Sequence, residues 1–254
     1  QSFLDYKDYG DLIKTKASQG VAVADYDNDG HLDVYFTAYE IYDENDPDTW
    51  SRLYRNDGRG RFIDVTVEAK LHNQATNDAK YDDLVGITSG ASWGDFNGDG
   101  YLDLFLGNDG FDYLYKNLGD GTFEDVTETA GVRGCKECYS STGLWWDIDN
   151  DSDLDLYISD FRGTNRFYEN NGDETFTEKA AELGLDVVDP SWAAMPIDYD
   201  RDGDWDIYVS NDGYPNSFFR NDGGVFTDVA PELGMDDPGN GMGIAIGDYN
   251  NDLI

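Results

Sequence analysis

Basic residues are scarce in this chain: 17 Lys and Arg stand against 54 Asp and Glu, a formal charge of −37 over 254 residues. A field of that sign repels phosphate backbones and anionic lipid, which argues against nucleic acid or a membrane surface as partner and makes cations the natural ones. The two cysteines supply only half a structural zinc site and are too few for a disulfide framework. Apolar runs of about 18 residues are also missing, so no segment reads as a membrane-spanning helix. The N-terminus has no basic stretch followed by an apolar one, and Gln1 reads either as a mature end left after signal cleavage or as the edge of a longer chain.

Aromatic residues, by contrast, make up 15% of the chain. Acidic disordered tails are poor in aromatics, so this chain is expected to fold, and at its length residues 1–254 are read as one all-β domain. Cys135 and Cys138 lie in "RGCKECY" with no His after the second, which rules out a c-type haem attachment. A local loop disulfide in an oxidising compartment is the first reading, and two unpaired thiols in a surface loop the alternative.

The most informative feature is self-similarity. "DYDNDGHLD" begins at Asp25 and returns as "DFNGDGYLD" at Asp95, "DIDNDSDLD" at Asp147, "DYDRDGDWD" at Asp198 and, truncated, "DYNNDLI" at Asp248; successive starts lie 70, 52, 51 and 50 residues apart. A second block follows each complete copy: "LYRNDGRGRFIDVT", "LYKNLGDGTFEDVT", "RFYENNGDETFTEKA" and "SFFRNDGGVFTDVA". Short aromatic and β-branched runs around Asn, Asp and Gly clusters are hairpin chemistry. Apolar or small-residue runs flank the acidic loops, such as "GASWGD" before and "DLFLGN" after, with "GIAIGD" before the truncated copy. Each period therefore predicts four strands. Antiparallel four-stranded blades arranged radially, a β-propeller, bury both faces of such units.

The repeats run over about 20–70, 90–132, 142–185 and 193–235, with a partial one at 241–254, and "FLDYKDYGDLI" near the N-terminus reads as a last strand of a preceding unit; the count suggests a fragment of a larger propeller. Helices are expected only in brief post-strand segments such as "TETAGV" and "PELGM".

Four carboxylates about 5 Å apart would repel by roughly 3 kcal/mol per pair at an effective dielectric near 20, on the order of 20 kcal/mol per loop unless a cation neutralises them. Hard oxygen donors without a His or Cys cluster point to calcium, with magnesium second because of its stricter octahedral demand. In D-x-D/N-x-D-G-x-x-D, side chains at positions 1, 3, 5 and 9 and the carbonyl at position 7 are the expected ligands. These are Asp25, Asp27, Asp29, Asp33 and the His31 carbonyl; Asp95, Asn97, Asp99, Asp103 and the Tyr101 carbonyl; Asp147, Asp149, Asp151, Asp155 and the Asp153 carbonyl; and Asp198, Asp200, Asp202, Asp206 and the Asp204 carbonyl. Position 8, Leu32, Leu102, Leu154 or Trp205, is expected to anchor the loop exit in the core.

Ser152 replaces the position-6 glycine of the third loop at some cost in strain, and Asp248, Asn250 and Asp252 form a weak or incomplete fifth set. An EF-hand begins similarly but needs Glu at position 12 and flanking helices. Phe36, Leu106, Ile158 and Val209 occupy that position here, so the EF-hand is rejected.

These residues, "DYDNDGHLDVYF" followed by "RLYRNDGRGRFIDVT" above all, resemble the FG-GAP/VCBS repeat family and within it acidic extracellular proteins of the ASPIC/UnbV type. The resemblance implies a propeller with calcium between the first two strands of each blade, secretion or surface display, and roles in adhesion, matrix or polysaccharide contact. The expected function is thus an extracellular calcium-binding scaffold that engages a protein or glycan on one loop-rich face, with segment 39–50 a candidate contact. A polysaccharide lyase or hydrolase is the enzymatic alternative, although neither His31 nor His72 has a nucleophile partner in evidence. A self-assembling structural subunit of a surface layer is the third reading.

Overall fold

The computed structural model describes residues 18–38, 49–72 and 87–247. Each repeat folds as the alternating pattern predicts, into one antiparallel four-stranded sheet whose strands pair in chain order. The first sheet contains β1 (Val21–Ala24), β2 (Asp33–Phe36), β3 (Arg52–Asn56) and β4 (Phe62–Asp64). The second contains β5 (Thr88–Gly94), β6 (Asp103–Asn108), β7 (Tyr113–Asn117) and β8 (Phe123–Asp125), followed by a single-turn α1 (Thr127–Ala130). The third has β9 (Ser140–Trp146), β10 (Asp155–Asp160), β11 (Arg166–Asn170), β12 (Phe176–Glu178) and α2 (Ala180–Leu183). The fourth has β13 (Ser191–Ile197), β14 (Asp206–Asn211), β15 (Ser217–Asn221), β16 (Phe226–Asp228) and α3 (Ala230–Leu233). In the second, third and fourth repeats the first strand begins two residues before the start read from the sequence, and in the first repeat it begins at Val21, one residue after it.

The sheets stack as blades. β5 lies against β1 on one side and β9 on the other, and β9 lies against β13, so the first strands of successive blades are neighbours. β6 and β10 are buried along their whole length because both faces of their sheets are covered. Close approach of the first strands needs small residues: a Cβ on Gly90 would sit 2.4 Å from the Ser141 carbonyl oxygen.

All four acidic loops and all four β-hairpins between third and fourth strands lie at the same end of the blades, as the strand order requires. At the opposite end, the buried Arg166 of blade 3 bridges Asp112 of blade 2 at 3.0 Å and Asp160 at 3.3 Å. The Cys135–Cys138 disulfide is formed in the connection between α1 and β9.

Residues 243–247, expected as the first strand of a fifth unit, are not a strand and are largely exposed. No described second strand offers them a ladder, and an unpaired run gains too little to hold an extended form. The N-terminal segment 3–13, the inserted segment 39–48 and the fifth acidic set, Asp248, Asn250 and Asp252, lie outside the described residues.

Candidate metal centres

Each acidic loop is a tight reversal between the first and second strands, organised by its own carboxylates. The position-1 aspartate receives the backbone N–H groups that follow the turn. Asp29 and Gly30 donate to Asp25 at 3.0 and 2.8 Å, Asp99 and Gly100 to Asp95 at 3.0 and 2.9 Å, and Asp151 and Ser152 to Asp147 at 3.0 Å each. In the fourth loop Gly203 donates to Asp198 at 3.3 Å. The position-5 aspartates, Asp29, Asp99, Asp151 and Asp202, each accept the N–H of position 7 at 2.9 Å.

Two backbone positions in every loop are left-handed. Position 6 is Gly30, Gly100, Gly203 or, at φ +81°, Ser152, which places the expected strain on a real Cβ. Position 4 is also left-handed, occupied by Asn28, Gly98, Asn150 and Arg201. That requirement was missed in the sequence, although the recurring "DN" and "NG" were its signal, since Asn and Gly tolerate this region best.

The position-9 aspartates do a different job from the other three. Asp33, Asp103, Asp155 and Asp206 are buried, and one oxygen of each accepts the N–H of position 2, from Tyr26, Phe96, Ile148 and Tyr199. The other oxygen accepts the N–H of Asn56, Asn117, Asn170 or Asn221, the last residue of each third strand, at 2.7–2.9 Å. Burial pushes Asp103 and Asp155 up to about 7 and Asp33 up to about 6, and raises Asp206 as well, against the lowering effect of these hydrogen bonds. Burial, reinforced by neighbouring carboxylates, raises Asp27 and Asp149 too.

Position 8 is not the expected core anchor. Leu32 is 60% exposed and Trp205 39%, while Leu102 and Leu154 are half-buried. Because successive strand residues face opposite sides, an inward aspartate at position 9 turns position 8 outward. Anchoring falls instead to position 2, where Tyr26, Phe96 and Ile148 are buried.

The third-strand asparagines are the organising residues that sequence reading overlooked, although "YRN", "YKN", "YEN" and "FRN" displayed them. Their Oδ1 accepts a hairpin N–H from Gly58, Gly119, Gly172 or Gly224. Their Nδ2 donates to the position-8 carbonyl of the same blade at 3.1–3.2 Å. Two of them also reach the previous blade: Asn117 to the Tyr26 carbonyl and Asn170 to the Phe96 carbonyl, both at 2.8 Å.

Carboxylate oxygens converge within 4.8 Å of one another in three loops: from Asp25, Asp27 and Asp29, from Asp147, Asp149 and Asp155, and from Asp198, Asp200 and Asp206. In the second loop Asn97 takes one acidic place and its Nδ2 donates to Asp99 at 3.0 Å. Asp27 Oδ1 and Asp198 Oδ1 are buried without a hydrogen-bond partner. Crowded oxygen donors with orphaned lone pairs fit a hard divalent cation. The position-7 side chains lie over the neighbouring hairpin: the His31 ring abuts Gly58, the Tyr101 ring abuts Gly119, and Asp204 accepts the Gly223 N–H at 2.9 Å.

Radially stacked four-stranded blades with an acidic loop after each first strand define a repeat protein of β-propeller type. The FG-GAP-like repeat model matches residues 95–141, 147–209 and 198–254, and the chain belongs to that family. It is 25% identical over 272 residues to cartilage acidic protein 1 of Xenopus tropicalis, covering 97% of this chain and 40% of that protein. Against the Homo sapiens protein of the same name it is 24% identical, covering 95% and 39%. The chain thus spans about two-fifths of the length of these curated relatives. A solved structure of an Agrocybe aegerita lectin recognising non-reducing terminal N-acetylglucosamine aligns with TM-score 0.48 at 20% identity, over 85% of this chain and 52% of that one.

Proposed function

We propose that this chain is part of an extracellular calcium-stabilised scaffold whose acidic-loop face engages a partner. The observation that carries the reading is the repeated convergence of carboxylate oxygens with orphaned members at Asp27 and Asp198. Position-1, -3, -5 and -9 side chains would hold the ion, from Asp25 to Asp33, Asp95 to Asp103, Asp147 to Asp155 and Asp198 to Asp206. Calcium is favoured over magnesium because these loops supply many oxygens on a pliable backbone. The Cys135–Cys138 disulfide supports an oxidising compartment, and the similarity to cartilage acidic protein 1 accords with an extracellular setting. Among the described residues, no helix is long and apolar enough to cross a membrane.

An ion bound only by the folded state adds about 2.7 kcal/mol per site at a hundredfold excess over Kd. The test is calcium titration with elemental analysis and thermal melting. Saturable binding, a Tm that falls sharply on chelation, and loss of one calcium equivalent in Asp27→Ala are expected. An unchanged melt in excess chelator, together with no alkaline-earth metal in protein equilibrated with calcium, would overturn the reading. Magnesium at equal concentration should stabilise less.

A further inference from the structure

The three junctions between blades are built on one plan, and the third departs from it. At the first, Trp93 of β5 stacks on Tyr26 of the preceding acidic loop at 6.3 Å, and Phe123 of β8 closes the group at 5.8 Å from Tyr26 and 6.1 Å from Trp93. At the second, Trp145, Phe96 and Phe176 repeat the arrangement at 6.4, 5.7 and 6.1 Å. The corresponding residues of the third junction are Pro196, Ile148 and Phe226. An indole does stand nearby, but it has moved one residue on and one blade back, to Trp146, which packs on Tyr157 at 6.3 Å. The amide fastening is missing too: Asn221 Nδ2 donates to the Trp205 carbonyl of its own blade, and among the described residues no bond from it to the Ile148 carbonyl matches those at the other two junctions.

A cavity of about 300 Å³ remains there, open on the acidic-loop face. Its floor is apolar, from Ile148, Phe167, Leu183 and Phe226, and its rim carries Asp149, Glu169 and Asp204. Glu169 is paired with Lys179 at 2.5 Å and Asp204 accepts the Gly223 N–H, so both carboxylates are held in place.

We propose that this cavity is a binding site for an aromatic side chain presented by a basic peptide segment. The floor takes the ring that the other two junctions supply internally, and the carboxylate rim, within a chain of net charge −37, selects cationic flanks. This goes beyond the metal reading: Asp149 belongs to the third candidate metal centre and Glu169 is shared with Lys179, so the apolar floor and Asp204 are the parts of the site that stand whether or not an ion is bound.

The test is calorimetric titration of the whole chain, in calcium-containing buffer and again in chelator, with three peptides: acetyl-Lys-Trp-Lys-amide, acetyl-Lys-Ala-Lys-amide and acetyl-Glu-Trp-Glu-amide. Saturable 1:1 binding of the first, with at least tenfold weaker binding of the other two, is expected. Ile148→Phe, which restores the aromatic residue of the other junctions, should weaken that binding at least tenfold while leaving the Tm equal or higher. Leu183→Trp, a floor residue supplied by α2, should block it independently. Equal binding of the Trp and Ala peptides would reduce the effect to bulk charge attraction and overturn the proposal, as would undiminished binding in both cavity-filling variants.

Discussion

Asn117 at the end of β7 donates its Nδ2 to the backbone carbonyl of Tyr26 at 2.8 Å, fastening the second blade to the acidic loop of the first. The same amide holds the Leu102 carbonyl and the Gly119 N–H, so truncation orphans three backbone groups at once. Asn117→Ala is expected to cost about 3 kcal/mol, each buried group left unpaired contributing on the order of 1 kcal/mol or more. Asn221→Ala, where the inter-blade bond does not exist, should cost measurably less. Equal losses for the two in denaturant titrations would assign the effect to the hairpin alone.

The buried carboxylates give the ion-free protein a defined pH dependence. Asp103 and Asp155 are pushed up to about 7, and Asp33 and Asp112 up to about 6, all principally by burial. A carboxyl whose folded pKa exceeds its unfolded value, near 4, keeps the folded state's advantage at low pH and loses it as pH rises through the folded pKa. In chelator, the Tm should therefore fall from about pH 4 to about pH 7 and level off above that. Calcium competes with those protons, so saturating calcium should flatten or reverse the slope. A chelated protein that gains stability steadily from about pH 4 to 7 would show that these groups ionise freely in the fold.

What could be read from the sequence followed from its local periods. The alternation around each acidic loop located the strands to within about two residues, and the nine-residue repeat located the turns, because both depend on neighbours in the chain. The role of the third-strand asparagines was not legible, since their partners lie in another loop or another blade. Leu32 and Trp205 were misjudged because an apolar residue beside an acidic one suggests core, whereas the buried Asp33 and Asp206 set the phase and turn them outward. The opening beside Ile148 was hidden as well. It depends on Pro196 standing where Trp93 and Trp145 stand, a comparison between places that meet only once the blades are stacked.

Ser152 occupies a left-handed position that its counterparts fill with glycine. The conformation costs an L-residue about 1–2 kcal/mol, and glycine returns roughly 0.5–1 kcal/mol of that through its looser unfolded chain. Ser152→Gly should therefore stabilise by about 0.5–1 kcal/mol, with the Asp147 bond to the residue-152 N–H retained. Gly100→Ser, at the same place in the second loop, should destabilise by a similar amount. A neutral result for both substitutions in chelator would mean that the apo loops relax out of the left-handed turn.

Trp93 is held between Tyr26 and Phe123, in the place that Pro196 takes at the third junction beside Ile148. Removing the indole should open a comparable space, because Tyr26 is pinned by its backbone N–H to Asp33 and its carbonyl to Asn117 and cannot follow. Trp93→Ala is accordingly expected to cost about 2–3 kcal/mol, below the range for fully buried large-to-small changes because the indole is only half-buried. Millimolar indole added to that variant should recover part of the lost Tm while leaving the wild-type melt unchanged. A cost below about 1 kcal/mol would show that the blades close over the gap, and the same closure would then be expected beside Pro196.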